Sequence, residues 1–272
     1  MRVPLSAALL ALGLAVPAGA AAPGACPGAP IAPDRVITGS FGAEVEGKYV
    51  MVPFDVPPAT TQVRVKYCYD QPDQRLPENP AVRPGHTLDL GIYDARKGAL
   101  WDEEEFRGWG GSSHPDVQVT AQGFPPGRTN VPGRTTKGYV PGPVVPGEWA
   151  VELGVAAITT EGDSDGRVAW RVEIELSEDP AFRAEPYAPA PYDETPARTQ
   201  PGWYAGDLHV HAEHSNLGAA SMKETFDYAF GPAGLDFVTL TDYVTTSQYG
   251  EVGRHQARYP GKLIVRSGEV IT

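Results

Sequence analysis

Basic residues are scarce in this 272-residue chain: 22 Lys and Arg stand against 34 Asp and Glu, a formal net charge of −12. A protein that follows a phosphate backbone needs a positive stripe to displace counterions, so nucleic acid is excluded as a partner. Cysteine is nearly absent too, and Cys26 and Cys68 are too few and too far apart for a zinc knuckle. Beyond the extreme N-terminus no stretch reaches the roughly 20 apolar residues that a spanning helix requires, so no transmembrane segment is expected. The chain also lacks a phosphate-cradling Gly-rich loop and a convincing Ser or Cys nucleophile motif. Long helices are excluded by 31 Gly and 28 Pro, a composition that suits a turn-rich β protein. A hydrophobic content of 41% still permits a sizeable core, and the length suits two domains.

What is present begins with an export signal. Met1 and Arg2 precede an apolar run from Leu5 to Val16, and Ala18 and Ala20 occupy small-residue cleavage spacing. Residues 1–22 therefore read as a signal peptide, and the mature protein as secreted or extracytoplasmic. In an oxidising compartment two thiols pair, so a Cys26–Cys68 disulfide is expected, tying the new N-terminus to the first domain. A loop of about 43 residues closed in this way gains roughly 4 kcal/mol in the chain-entropy treatment.

Residues 23–176 read as a β-sandwich of jelly-roll type. In Arg167–Leu176 the residues Val168, Trp170, Val172, Ile174 and Leu176 share one face, while Arg167, Arg171, Glu173 and Glu175 share the other. Gln62–Tyr69 alternates in the same way, and Tyr49–Val56, His86–Tyr93 and Trp149–Val155 do so more weakly. Short strands with frequent turn signals suit two packed sheets. The six prolines of Pro125–Pro146 predict a long surface loop without chemistry. Trp101, Phe106 and Trp109, beside the acidic run Asp102–Glu105, read as a turn packed on the core, with a carbohydrate-contacting aromatic patch as the alternative, and His86 and His114 as packing or surface residues. Residues 177–202, with six prolines from Pro180 to Pro201, have the composition of a semi-rigid linker.

The pattern then changes. Asp207–His211, Asp236–Thr241 and Lys262–Arg266 are short apolar runs separated by stretches of helical character. Ser221 and Glu224 have capping-box spacing, and Met222, Phe226, Ala229 and Phe230 form a helical stripe; Gln248–Tyr259 is a weaker helix. Alternating strands and helices imply parallel pairing with right-handed crossovers. His209 and His211 flank one residue, so both imidazoles leave the same side of the strand. An HxH pair alone serves polar packing as readily as metal binding. Here Asp242 ends the second strand and Glu269 follows the third, so carboxylates gather with the histidines at the carboxyl edge where α/β sites are built. His214 either lines this site, supports a ligand from behind it or is simply exposed, and His255 reads as a solvated helix residue.

Gly206–His211 (GDLHVH), His214 with Ser215, Gly234–Asp242 (GLDFVTLTD) and Gly268–Val270 (GEV) together resemble the polymerase and histidinol phosphatase (PHP) superfamily. With an exported β-sandwich in front, the arrangement is similar to the CehA/McbA branch of PHP-type metallohydrolases. The resemblance implies that His209 and His211 hold a first metal, that Glu269 supplies a carboxylate able to bridge two metals, and that Asp242 orients a ligand from behind. Tyr243 stands where the family usually has a metal-binding histidine, and Asn216 where many members have aspartate. Both departures weaken the same further metal position and leave a one- or two-metal site. The family barrel continues with more βα units and further ligands, so residues 203–272 are expected to be a partial, C-terminally truncated PHP-like domain, poorly stable unless something packs on it.

The fold class that follows is multidomain, β plus α/β: a jelly-roll-like β-sandwich, then the first three βα units of a PHP-type distorted barrel. The resemblance implies a divalent ion (zinc, manganese or iron) and hydrolysis of a small-molecule phosphoester, or carboxylic or carbamate ester, by metal-activated water. The alternative left open is a non-catalytic exported binding protein whose β-sandwich carries the function and whose PHP-like tail is a remnant.

Overall fold

The computed structural model describes residues 23–73, 85–97, 103–127, 129–161, 165–215, 218 and 220–270. The signal-peptide segment, Trp101 and Asn216 lie outside the described residues.

Eight strands build two antiparallel sheets: β1 (Arg35–Gly42), β2 (Tyr49–Val56), β3 (Gln62–Tyr69), β4 (Thr87–Tyr93), β5 (Phe106–Gly111), β6 (Asp116–Thr120), β7 (Gly147–Ala157) and β8 (Arg167–Ser177). Their order is β1-β8-β3-β6 in one sheet and β2-β7-β4-β5 in the other. The period-two pattern decides which side is buried. Val63 and Val65 of β3 and Val168, Val172 and Ile174 of β8 meet Leu88, Leu90 and Ile92 of β4 and Trp149, Val151 and Leu153 of β7 in one apolar cluster. Each fully buried side chain of this size is worth about 1.5–3 kcal/mol over leaving it in water.

The disulfide forms between Cys26 and Cys68. It lays the N-terminal segment over charged residues that would otherwise be stranded. Lys66, only 1% exposed, donates to the carbonyls of Cys26 (3.2 Å) and Ala29 (2.8 Å), and Glu173 accepts from the Cys26 amide at 3.2 Å.

A third, parallel sheet holds β9 (Gly206–Val210), β10 (Phe237–Tyr243) and β11 (Leu263–Glu269) in the order β11-β10-β9. The connecting helices are α1 (Met222–Phe230) and α2 (Tyr249–Gln256). Helix α1 starts at a complete capping box, with the Ser221 hydroxyl accepting from the Glu224 amide and the Glu224 carboxylate from the Ser221 amide. Met222, Phe226 and Ala229 pack with Val238, Leu240, Val252 and Ile264 into a separate core. No helix among the described residues is long and apolar enough to cross a membrane.

Four expectations are corrected. Residues 129–146 lack regular structure, yet Thr135, Thr136, Lys137 and Tyr139 are buried, so this is no surface loop. Proline needs no partner for an N–H, and the Thr136 and Thr135 hydroxyls accept from the amides of Gln118 (2.8 Å) and Thr120 (3.1 Å), which lets an irregular segment enter the interior. Phe106 and Trp109 belong to β5 rather than to a turn; register shifts in the β4–β5 ladder and the glycines of this strand hide its alternation.

Beyond Ser177, the Pro-rich segment is a docked strap rather than a bare spacer. The Tyr187 amide donates to Ala121 O (2.8 Å), the Ala190 amide to Gly250 O (2.8 Å) and the Tyr192 hydroxyl to Ile264 O (2.8 Å), so it grips both units. His255 is half-buried, its ring edge-on to Phe226 at 5.3 Å, because α2 turns this residue toward α1. His86 is fully buried, in keeping with its reading as a packing residue.

Candidate metal centre

Strand alternation and register assemble the site. The parallel ladder pairs Leu240 with Val210 and Tyr243 with Glu269, so the carboxyl ends of β9, β10 and β11 lie side by side. From these ends His209, His211 and Glu269 converge. His209 Nε2 lies 3.0 Å from His211 Nε2 and 3.1 Å from Glu269 Oε2, and His211 Nε2 is 3.1 Å from the same oxygen. Three donor atoms in a near-equilateral triangle of this size match the spacing around one small divalent ion with bonds of about 2.0–2.2 Å. Two imidazoles and a carboxylate suit zinc, manganese or iron, and the residues therefore fit the ion that the resemblance implies.

The side chains behind the triad hold it in place. His211 Nδ1 pairs with the hydroxyl of fully buried Ser215 at 3.0 Å, which leaves Nε2 turned to Glu269. Burial lowers the His211 pKa below the ordinary imidazole value; Glu269 opposes the shift and His209 adds to it. A neutral imidazole is the form that ligates. Asp242 is fully buried and its Oδ1 accepts from the Ala212 amide at 2.6 Å, fixing the backbone just after His211. Val244, next after β10, has φ 46°, a left-handed conformation costly for a β-branched residue, and its amide donates to Glu269 O at 2.9 Å. That bond fixes the end of the strand that carries the acid.

The centre opens to solvent, with side-chain exposures of 58% for His209, 24% for His211 and 31% for Glu269. Its wall comes from both units. The Tyr243 ring lies 6.3 Å from that of His211 and 5.7 Å from that of Trp109 in β5. Burial raises the Tyr243 pKa and the nearby Glu269 charge adds to the rise, so the phenol keeps its proton. Sequence reasoning placed Trp109 in a turn on the core rather than at the site, because nothing local marks a β5 residue as reaching Tyr243 far downstream, and it left Ser215 without a role. His214 does not join the triad: it is buried, with Nδ1 2.8 Å from the Ser247 hydroxyl. Compared with known proteins, the chain matches no family model and no curated sequence.

Proposed function

We propose that this protein is an exported, PHP-type metal-dependent hydrolase in which His209, His211 and Glu269 hold a divalent ion. The observation that carries the reading is the triangle of three donor atoms at the ends of three consecutive parallel strands. Two further features support it. The strand orders β1-β8-β3-β6 and β2-β7-β4-β5 suit a jelly roll in front of the site, and the β9–α1–β10–α2–β11 succession suits the start of a βα barrel. The disulfide is compatible with an oxidising compartment.

A divalent ion held by His209, His211 and Glu269 would supply Lewis-acid polarisation of the scissile group and would lower the pKa of water, giving a nucleophile near neutral pH. The chain's own residues do the rest. Ser215 and Asp242 keep His211 and the backbone after it from relaxing, so the donor atoms are arranged before substrate arrives. Solvent-open His209 leaves one side for a small-molecule substrate. Tyr243, protonated beside His211, offers a hydrogen-bond donor where negative charge grows on a phosphoester, or carboxylic or carbamate ester, oxygen.

The test loads the full chain with zinc, manganese or iron(II) in turn, measures bound metal, and assays p-nitrophenyl phosphate, bis(p-nitrophenyl) phosphate and p-nitrophenyl acetate. Stoichiometric metal and turnover, both lost in His209→Ala and Glu269→Gln, are the expected result. Metal uptake that neither substitution reduces would overturn the reading.

A further inference from the structure

The loops that follow β9 and β10 are both held from the sandwich by one short stretch, Lys137 and Gly138. Lys137 is 9% exposed and pairs with Glu213, two residues after His211. The other Glu213 oxygen accepts from the Met222 amide at 3.3 Å, where α1 begins. Gly138 O accepts from the Thr245 hydroxyl at 2.7 Å, two residues after β10 ends. Thr245 follows Val244, whose amide donates to Glu269 O at 2.9 Å. One contact therefore fixes the chain just beyond His211, and the other fixes the residue beside the hold on Glu269.

The stretch is itself anchored. The Thr136 amide donates to Gln118 O at 2.9 Å, the Val140 amide to Arg107 O at 2.6 Å and the fully buried Tyr139 hydroxyl to Leu90 O at 3.1 Å, so β6, β5 and β4 each hold it. Gly138 has φ 94°, and a Cβ there would stand 3.1 Å from His214 O; glycine lets the two backbones meet. Stability does not explain the ion pair. Taking both charges out of water offsets most of their attraction, and a well-packed apolar pair of similar volume would hold the units as firmly. What the ion pair adds is a single geometry, because a displaced Lys137 leaves an uncompensated charge behind. The donor atoms of the triad lie 3.0–3.1 Å apart, and such a constellation tolerates misplacement of only about 0.5 Å. We propose that Lys137 and Thr245 are positioning residues for the metal centre, through which the sandwich sets where His211 and Glu269 stand. This rests on the reading of the triad as a metal site and gives the sandwich a role in it.

The experiment measures the zinc affinity of the full chain by chelator competition and, on the metal-free chain, the ¹H–¹⁵N imidazole signals of His209 and His211. Lys137→Met keeps the stem and removes the charge, Thr245→Val keeps the shape and removes the hydroxyl, and Thr245→Ser keeps the hydroxyl. Val63→Ala, which opens a cavity in the sandwich core, controls for a general loss of stability. The expected result is about tenfold weaker zinc binding in Lys137→Met and Thr245→Val, with displaced or multiplied imidazole signals in both metal-free variants. Thr245→Ser and Val63→Ala behave as the parent does. If one of the first two variants does not fold, the other decides. Undiminished zinc affinity in the deciding variants, or an equal loss in Val63→Ala, overturns the proposal. Failure of the metal reading looks different: the parent then takes up no zinc that His209→Ala abolishes, and unmoved imidazole signals in the metal-free variants would be what overturns the positioning role.

Discussion

Replacing Glu152 with Gln should stabilise the protein, and only above acid pH. Glu152 of β7 lies on the outer face of the β2-β7-β4-β5 sheet and is 5% exposed. Gly91 of β4 is opposite it, and a Cβ there would stand 3.1 Å from Trp109 and 3.3 Å from Glu152, so the two side chains share the space that a glycine leaves. Burial raises the Glu152 pKa from the ordinary 4.5 to about 7; the Tyr93 hydroxyl opposes the shift and the Asp89 charge adds to it. At 1.36 kcal/mol for each tenfold change in proton affinity, ionised Glu152 costs the folded state about 3 kcal/mol.

The folded-state pKa lies above the unfolded one, so this residue's contribution is fully present below pH 4.5 and is lost as pH rises to about 7. Gln keeps the acceptor for Tyr93 and cannot ionise. Urea unfolding of Glu152→Gln against the parent should therefore give no difference near pH 4 and a gain of about 2–3 kcal/mol near pH 8. A gain that does not vary with pH, or a loss at pH 8, would refute the reasoning that burial governs this carboxyl.

Ser215→Ala should weaken metal binding about 10- to 100-fold, read by competition with a chromogenic chelator, because His211 loses the partner that sets its orientation. Asp242→Ala removes a charge-assisted bond to the Ala212 amide and should cost about 1.5–3 kcal/mol in chemical denaturation, with a parallel drop in metal affinity. The Cys26→Ala/Cys68→Ala double variant should lose about 4 kcal/mol, from the freed loop alone, in the same assay.

Sequence pattern revealed the strands whose faces alternate cleanly, as in β3 and β8, and the helix with a complete capping box, α1. It hid those governed by something other than alternation. β5 reads Phe-Arg-Gly-Trp-Gly-Gly, and its Arg107 is buried by pairing with Asp94 at 2.8 Å, a long-range contact that makes a charged residue behave as an interior one. Proline density misled at both 125–146 and 177–202, since missing amide donors lower the cost of burying or docking an irregular chain. Within the site, His209, His211 and Glu269 were legible because two strands and an HxH spacing fix their side. Ser215 and Trp109 were not: their places depend on a turn and on the packing of one unit against another.

X-ray absorption at the metal edge, combined with anomalous diffraction from crystals of the zinc-loaded full chain, tests the central claim most directly. The account predicts one ion bonded to His209 Nε2, His211 Nε2 and a Glu269 oxygen at about 2.0–2.2 Å. Zinc bound elsewhere on the chain, or a triad that stays metal-free under stoichiometric loading, would contradict it.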